Sequence, residues 1–248
     1  MALIVGASFF LNLFAGSVLQ YLHFRWGLLA SQILFIAGPA LLAVRWFYLE
    51  RASVIPFAPV RTRWLIATFA GAIGLNHLLT VAMIWQERIF PQPRMLRSIL
   101  ENFLDYRDAL DLGLLLILAA GIVPVCEEVL FRGFLQSGLI RLMESAPKGI
   151  VASAFLFAGF HLDPWRFVAT LVLGLWLGFL AHRSRSLLPP IIAHAANNLL
   201  AITLTEPGSG LPRLESSSIT VLAAGALVLI AFLVVRKRAA GGRMSSML

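Results

Sequence analysis

A single cysteine, Cys126, among 248 residues excludes an internal disulfide framework. Charge is scarce as well, at 13% of residues, where an average soluble domain carries about a quarter. There is no CxxC pair and no HExxH, so the five histidines show neither of the spacings that mark common zinc sites. No basic region precedes the first apolar run, so residues 1–21 read as a retained span rather than a cleaved signal. Basic residues outnumber acidic ones, 20 to 12, for a net charge of +8 and a pI near 11. They stand in short stretches between apolar runs, without an interleaved aromatic readout motif, so nucleic acid is not an expected partner.

What fills the chain is apolar: 59% hydrophobic residues and a mean hydropathy of +0.86. In water that composition would leave large exposed patches prone to aggregation, whereas a bilayer accepts it. Spanning the roughly 30 Å hydrocarbon core takes about 20 apolar residues. Eight runs are candidates: 2–21, 28–48, 65–85, 110–130 with a helical extension toward 143, 149–160, 167–181, 187–204 and 219–235. The expected fold is an all-α polytopic membrane helix bundle of about eight transmembrane helices, with residues 1–248 forming one integral membrane domain. The run at 149–160 is short enough for a partial span or half of a re-entrant pair. Residues 87–108 mix charge with Met95, Leu96, Ile99, Leu100, Phe103 and Leu104 at the spacing of an interfacial amphipathic helix. Arg45, Arg51, Arg61, Arg63, Arg141, Lys148, Arg183, Arg185 and the Arg236, Lys237, Arg238 and Arg243 tail fall on one side. Arg25, Arg166, Arg213 and the acid-neutralised 87–108 stretch fall on the other, so both termini are expected in the cytoplasm.

Most ionisable residues sit at the ends of apolar runs, where a long side chain reaches water at little cost. Glu127 and Glu128 lie deep in the fourth run, and each buried charge near mid-bilayer costs about 2.5–3.5 kcal/mol on insertion scales. Glu128 and Arg132 have the i,i+4 spacing of a bracing ion pair. Adjacent helical positions diverge by about 100°, so only one carboxylate can lie over Arg132 and the other is left to face a cavity. Pro124, one turn earlier, withholds a backbone donor and disturbs the helix there. His161 closes the run Phe155–Phe160 and alone would read as an interfacial or hydrogen-bonded histidine. His194 and Asn198 share one face of an apolar helix through their i,i+4 spacing. Asn197 points elsewhere and suits a hydrogen bond to a neighbouring helix. Asn76 and His77 lie within a span without a partner at a telling spacing and read as packing or hydrogen-bonding residues.

Three stretches together carry a resemblance. Glu127-Glu128-Val129-Leu130-Phe131-Arg132 resembles the EExxxR motif of the CPBP family of CAAX proteases and bacteriocin-processing enzymes. Phe157-Ala158-Gly159-Phe160-His161 resembles its FxxxH motif, and His194-Ala195-Ala196-Asn197-Asn198 its HxxxN motif. The three follow in the family's order, and the resemblance covers about 110–204, the expected catalytic core. It implies an intramembrane endopeptidase in which Glu127 activates a water and His161 positions that water or stabilises the oxyanion. His194 and Asn198 complete the polar pocket, and Glu128 and Arg132 support it. Amide hydrolysis needs a base for water, donors for the developing oxyanion and an acid for the leaving amine, and these groups supply them.

Cys126, next to the glutamates, reads as a small buried apolar residue. As a nucleophile or metal ligand it would instead suit the myxosortase-like prokaryotic members of that family. No cofactor is expected, and the alternative is a zinc-dependent intramembrane protease that uses the same residues. Two histidines, two glutamates and an asparagine could hold zinc only by tertiary convergence. The expected partners are the lipid bilayer and a membrane-associated protein or peptide cut in a membrane-proximal or C-terminal segment. The expected location is the inner (cytoplasmic) membrane of a prokaryote. Intramembrane charge also marks transporters, and a non-catalytic immunity or scaffold protein is the alternative of a different class, disfavoured because all three motifs are intact.

Overall fold

The structure is a computed structural model that describes residues 1–47, 49–204 and 217–236, with side chains left out at 52–53, 99–100 and 102–103. Tyr48, Arg213, Lys237, Arg238 and Arg243, and the side chains of Ile99, Leu100 and Phe103, therefore lie outside the described residues. Among the described residues nine helices follow one another: α1 (Ala2–Leu22), α2 (Phe24–Trp46), α3 (Thr62–Ile89), α4 (Arg94–Leu104), α5 (Ala109–Met143), α6 (Ala146–Phe160), α7 (Phe167–Ser184), α8 (Leu188–Thr203) and α9 (Ser218–Arg236). A single turn at Arg51–Val54 interrupts the connection between α2 and α3.

Every one of the eight apolar runs is a helix, and the chain is a polytopic helical membrane protein. Six helices, α1, α2, α3, α5, α7 and α9, are long and apolar enough to cross a membrane. The other two fall short, because α6 has 15 residues and α8 has 16. At a 1.5 Å rise per residue they reach about 22–24 Å, less than the roughly 30 Å core. The fourth run does continue past Arg132, to Met143.

Local chemistry sets these boundaries. Pro147 opens α6 and Pro189 opens α8, each within the first two helical positions, where the missing N–H has no partner to lose. Glu144 and Arg185, with φ of 49° and 52°, close α5 and α7 in the left-handed conformation that ends helices. Within α5 the helix widens to π turns at Ile117–Ile122 and Val129–Gln136, on either side of Pro124. A proline ring clashes with the carbonyl four residues back, and a π turn is a known way to absorb such a break, often at functional sites. All eight residues of the second π segment are buried, which makes it the axis of the bundle.

Packing then fixes the two ends of the molecule. α9 lies antiparallel against α3, so close that a Cβ on Gly71 would stand 2.6 Å from the Ala231 Cβ and one on Gly74 would stand 2.5 Å from the Ala224 carbonyl oxygen. One apolar core gathers Ile36, Ala40, Leu130, Phe131, Leu135 and Phe157. A second gathers Trp64, Leu177, Leu180, Ala193 and Val235, with α8 standing between the two. At one end of the bundle Leu187 N–H donates to the Pro56 carbonyl at 2.8 Å and Ser186 Oγ to the Ala58 carbonyl at 2.8 Å. At the other end Arg25 Nε donates to Asp111 Oδ1 at 3.0 Å, and Gln86 Nε2 to the Trp165 carbonyl at 2.6 Å.

Candidate active site

The hairpin of α5 and α6 brings the first two motifs to one depth. Glu127 precedes the end of α5 at Met143 by 16 residues, and His161 follows the start of α6 at Ala146 by 15. Both arms therefore rise about 22–24 Å from their shared turn. α8 enters beside them and presents His194, and the three motifs border one cavity of about 400 Å³. Glu127, His161, His194 and Asn198 all line it.

The two glutamates part company as the helical geometry demands. Glu128 is fully buried, and its Oε1 accepts from Arg132 Nη1 at 2.8 Å and faces His194 Nδ1 at 2.8 Å. Arg132 Nη2 donates onward to the Gly174 carbonyl of α7 at 3.1 Å. The guanidinium also lies 4.2 Å from the centroid of the Phe157 ring, a cation–π contact in a desolvated setting. One arginine thus fastens α5, α6 and α7 together. Glu127 has no such lock. Its Oε2 has no hydrogen-bond partner and stands 3.8 Å from His194 Nε2, beyond hydrogen-bonding distance.

The contacts also assign the imidazole protons. His161 Nδ1 lies 2.8 Å from the Phe157 carbonyl, which only accepts, so Nδ1 carries a hydrogen. The same logic puts a hydrogen on His194 Nδ1, against the Glu128 carboxylate. His194 Nε2 then turns toward Glu127. As a lone pair it can only accept, and as an N–H it can only donate, toward that carboxylate.

Phe157 explains why an aromatic precedes the histidine by four. Its buried ring packs edge-on against His161 at 4.8 Å and His194 at 5.8 Å, and its carbonyl holds the His161 ring. Asn198 Nδ2 donates to the Ala119 carbonyl of α5 at 2.9 Å, and its Oδ1 receives Asn197 Nδ2 at 3.4 Å. Asn197 Oδ1 in turn accepts from Asn76 Nδ2 of α3 at 3.2 Å, the interhelix bond expected of Asn197. The amide relay thus runs α3, α8, α5.

Sequence reasoning gave no site role to Asn76, Gln32, Thr80 or Arg166, all of which line the cavity. Their signal was a polar side chain in or beside a span. Cys126 lies in the apolar core with Val129 and Phe131, and its buried thiol does not line the cavity. Among the described residues no three His, Cys, Asp or Glu side chains converge as a metal-binding group. Glu128 and His194 Nδ1 are already committed to each other. The donor set present does not fit zinc.

The family described as Rce1-like, type II CAAX prenyl endopeptidase, matches residues 109–200. No curated protein and no solved structure matches the chain. The match begins at the first residue of α5 and ends within α8, so it covers α5–α8, three of which carry the motifs, and leaves out α1–α4 and α9. It implies an intramembrane protease that acts on a protein or peptide.

Proposed function

We propose that the chain is an intramembrane endopeptidase that hydrolyses a peptide bond in a membrane-proximal or C-terminal segment of its substrate, with Glu127 as the base that activates water. The observation that carries this reading is the division of labour between adjacent carboxylates. Glu128 Oε1 is held by both Arg132 and His194 and lies outside the cavity lining, while Glu127 lines the cavity with its Oε2 3.8 Å from His194 Nε2. A carboxylate within a membrane span that no strong pair neutralises is costly, and such groups recur where chemistry needs them.

In this mechanism a water sits between Glu127 and the Nε2 atoms of the two histidines. Glu127 takes its proton as the oxygen attacks the scissile carbonyl, and returns that proton to the leaving amine as the carbon–nitrogen bond breaks. Asn198 Nδ2 spends one hydrogen on Ala119 and keeps a second for the developing oxyanion. Glu128 and Arg132 position His194 rather than touch substrate. The four matched helices form the catalytic core of a single integral membrane domain, with both termini on the cytoplasmic side of a prokaryotic inner membrane. The test is a comparison of protein termini in strains carrying the wild type, a deletion and Glu127→Ala. The same immature termini should accumulate in the deletion and in Glu127→Ala. Unchanged termini in the deletion strain would remove the assignment.

A further inference from the structure

Two cavities lie on opposite sides of one ionic layer. The catalytic cavity is lined by Gln32 near the start of α2, Thr80 in the second half of α3, Thr170 near the start of α7 and Leu200 near the end of α8. All of these belong to the end where Arg25 meets Asp111 and Gln86 meets the Trp165 carbonyl. A second cavity, of about 300 Å³, is lined by Pro56, Ile140, Arg185 and Leu187 at the opposite end, and its inner wall is Arg132. Between the two, the side chains of Glu128, Arg132 and His194 are 0%, 1% and 3% exposed, so the layer is closed to water. Glu127 lines the catalytic cavity and not the second one.

Charge says which side that is. Lys and Arg in short connections are retained in the cytoplasm. At the end bearing the second cavity the described residues include nine such cations: Arg45, Arg51, Arg61, Arg63, Arg141, Lys148, Arg183, Arg185 and Arg236. At the end bearing the catalytic cavity there are six: Arg25, Arg88, Arg94, Arg97, Arg107 and Arg166. Three of those six are ion-paired, Arg25 with Asp111, Arg97 with Glu87 and Arg166 with Asp163. The geometry points to a catalytic cavity that opens away from the cytoplasm. Resting on the proteolytic reading above, it makes the substrate a segment exposed at the outer leaflet, the membrane-proximal part of an exported or membrane-anchored protein.

Thiol accessibility tests the sidedness without any substrate. In a Cys126→Ala background, Thr80→Cys and Thr170→Cys report on the catalytic cavity and Arg185→Cys on the basic end. Each full-length variant is inserted in a bacterial inner membrane and exposed to a membrane-impermeant maleimide, in right-side-out spheroplasts and in inside-out vesicles. Both cavity thiols should label in spheroplasts and lose that labelling in inside-out vesicles, with Arg185→Cys showing the reverse. Cavity thiols that label only in inside-out vesicles, from both sides, or not at all while labelling in detergent, would overturn the inference. Substrate identity gives a separate arm. A terminus that depends on Glu127 but lies in a cytoplasmic segment sinks the sidedness and keeps the protease, whereas unchanged termini with the expected labelling sink the protease and keep the sidedness.

Discussion

At the scale of single residues, Arg132 does more than the i,i+4 spacing announces. The spacing made the Glu128 pair legible, but nothing in the sequence indicates that the other end of the guanidinium holds the Gly174 carbonyl or that its face covers Phe157. Removing one partner of a buried ion pair leaves an uncompensated charge and costs about 3–5 kcal/mol. Arg132→Ala should therefore lower apparent stability in detergent by that order. Arg132→Lys, which keeps a charge but not the planar fork, should recover only part of it. Thermal unfolding of the two purified variants checks this, and equal stability of Arg132→Ala and wild type would contradict the role. Cys126 poses the opposite case, a reactive residue type beside the site that the structure packs into the apolar core. Cys126→Ala should retain most cleavage of a confirmed substrate, and a loss as deep as that of Glu127→Ala, with intact insertion, would make the thiol a participant.

At the scale of elements, the eight apolar runs were readable because lipid imposes length and composition on any segment that crosses it. Their interior geometry was not. Pro124 signalled a disturbance in α5, yet not that π turns would flank it on both sides, because that choice depends on the neighbours that bury Val129–Gln136. Nor could periodicity single out Gly71 and Gly74 as the face where α3 meets α9, since close approach of two backbones depends on both helices at once. In a bilayer such contacts act through van der Waals packing, so small residues matter more than apolar ones. Gly74→Leu should force α9 away from the Ala224 carbonyl and lower stability by about 1–3 kcal/mol. Gly113→Ala, where an added Cβ meets nothing within 4 Å, should leave stability unchanged or slightly raised. Thermal unfolding of both variants separates the packing effect from a general intolerance of substitution.

At the scale of the whole molecule, the i,i+4 spacing of Glu128 and Arg132 already left Glu127 to face a cavity. What no local pattern shows is that Glu128 also meets His194 Nδ1, 66 positions away, because the register of α5 against α8 decides that contact. Asn76 was legible as a polar residue in a span, and its partner Asn197, 121 positions away in sequence, was beyond reach of any local pattern. The central claim is that Glu127 is a metal-free base. It is tested most directly on purified protein in lipid, with a substrate terminus identified in cells, by measuring turnover and metal content together for wild type, Glu127→Gln, His161→Ala and His194→Ala. Glu127→Gln keeps the shape and removes the proton acceptor, so turnover should fall by roughly 10²–10⁴-fold, while wild-type activity survives chelation without stoichiometric zinc. Wild-type-like turnover in Glu127→Gln, or stoichiometric zinc lost together with activity in both histidine variants, would contradict it.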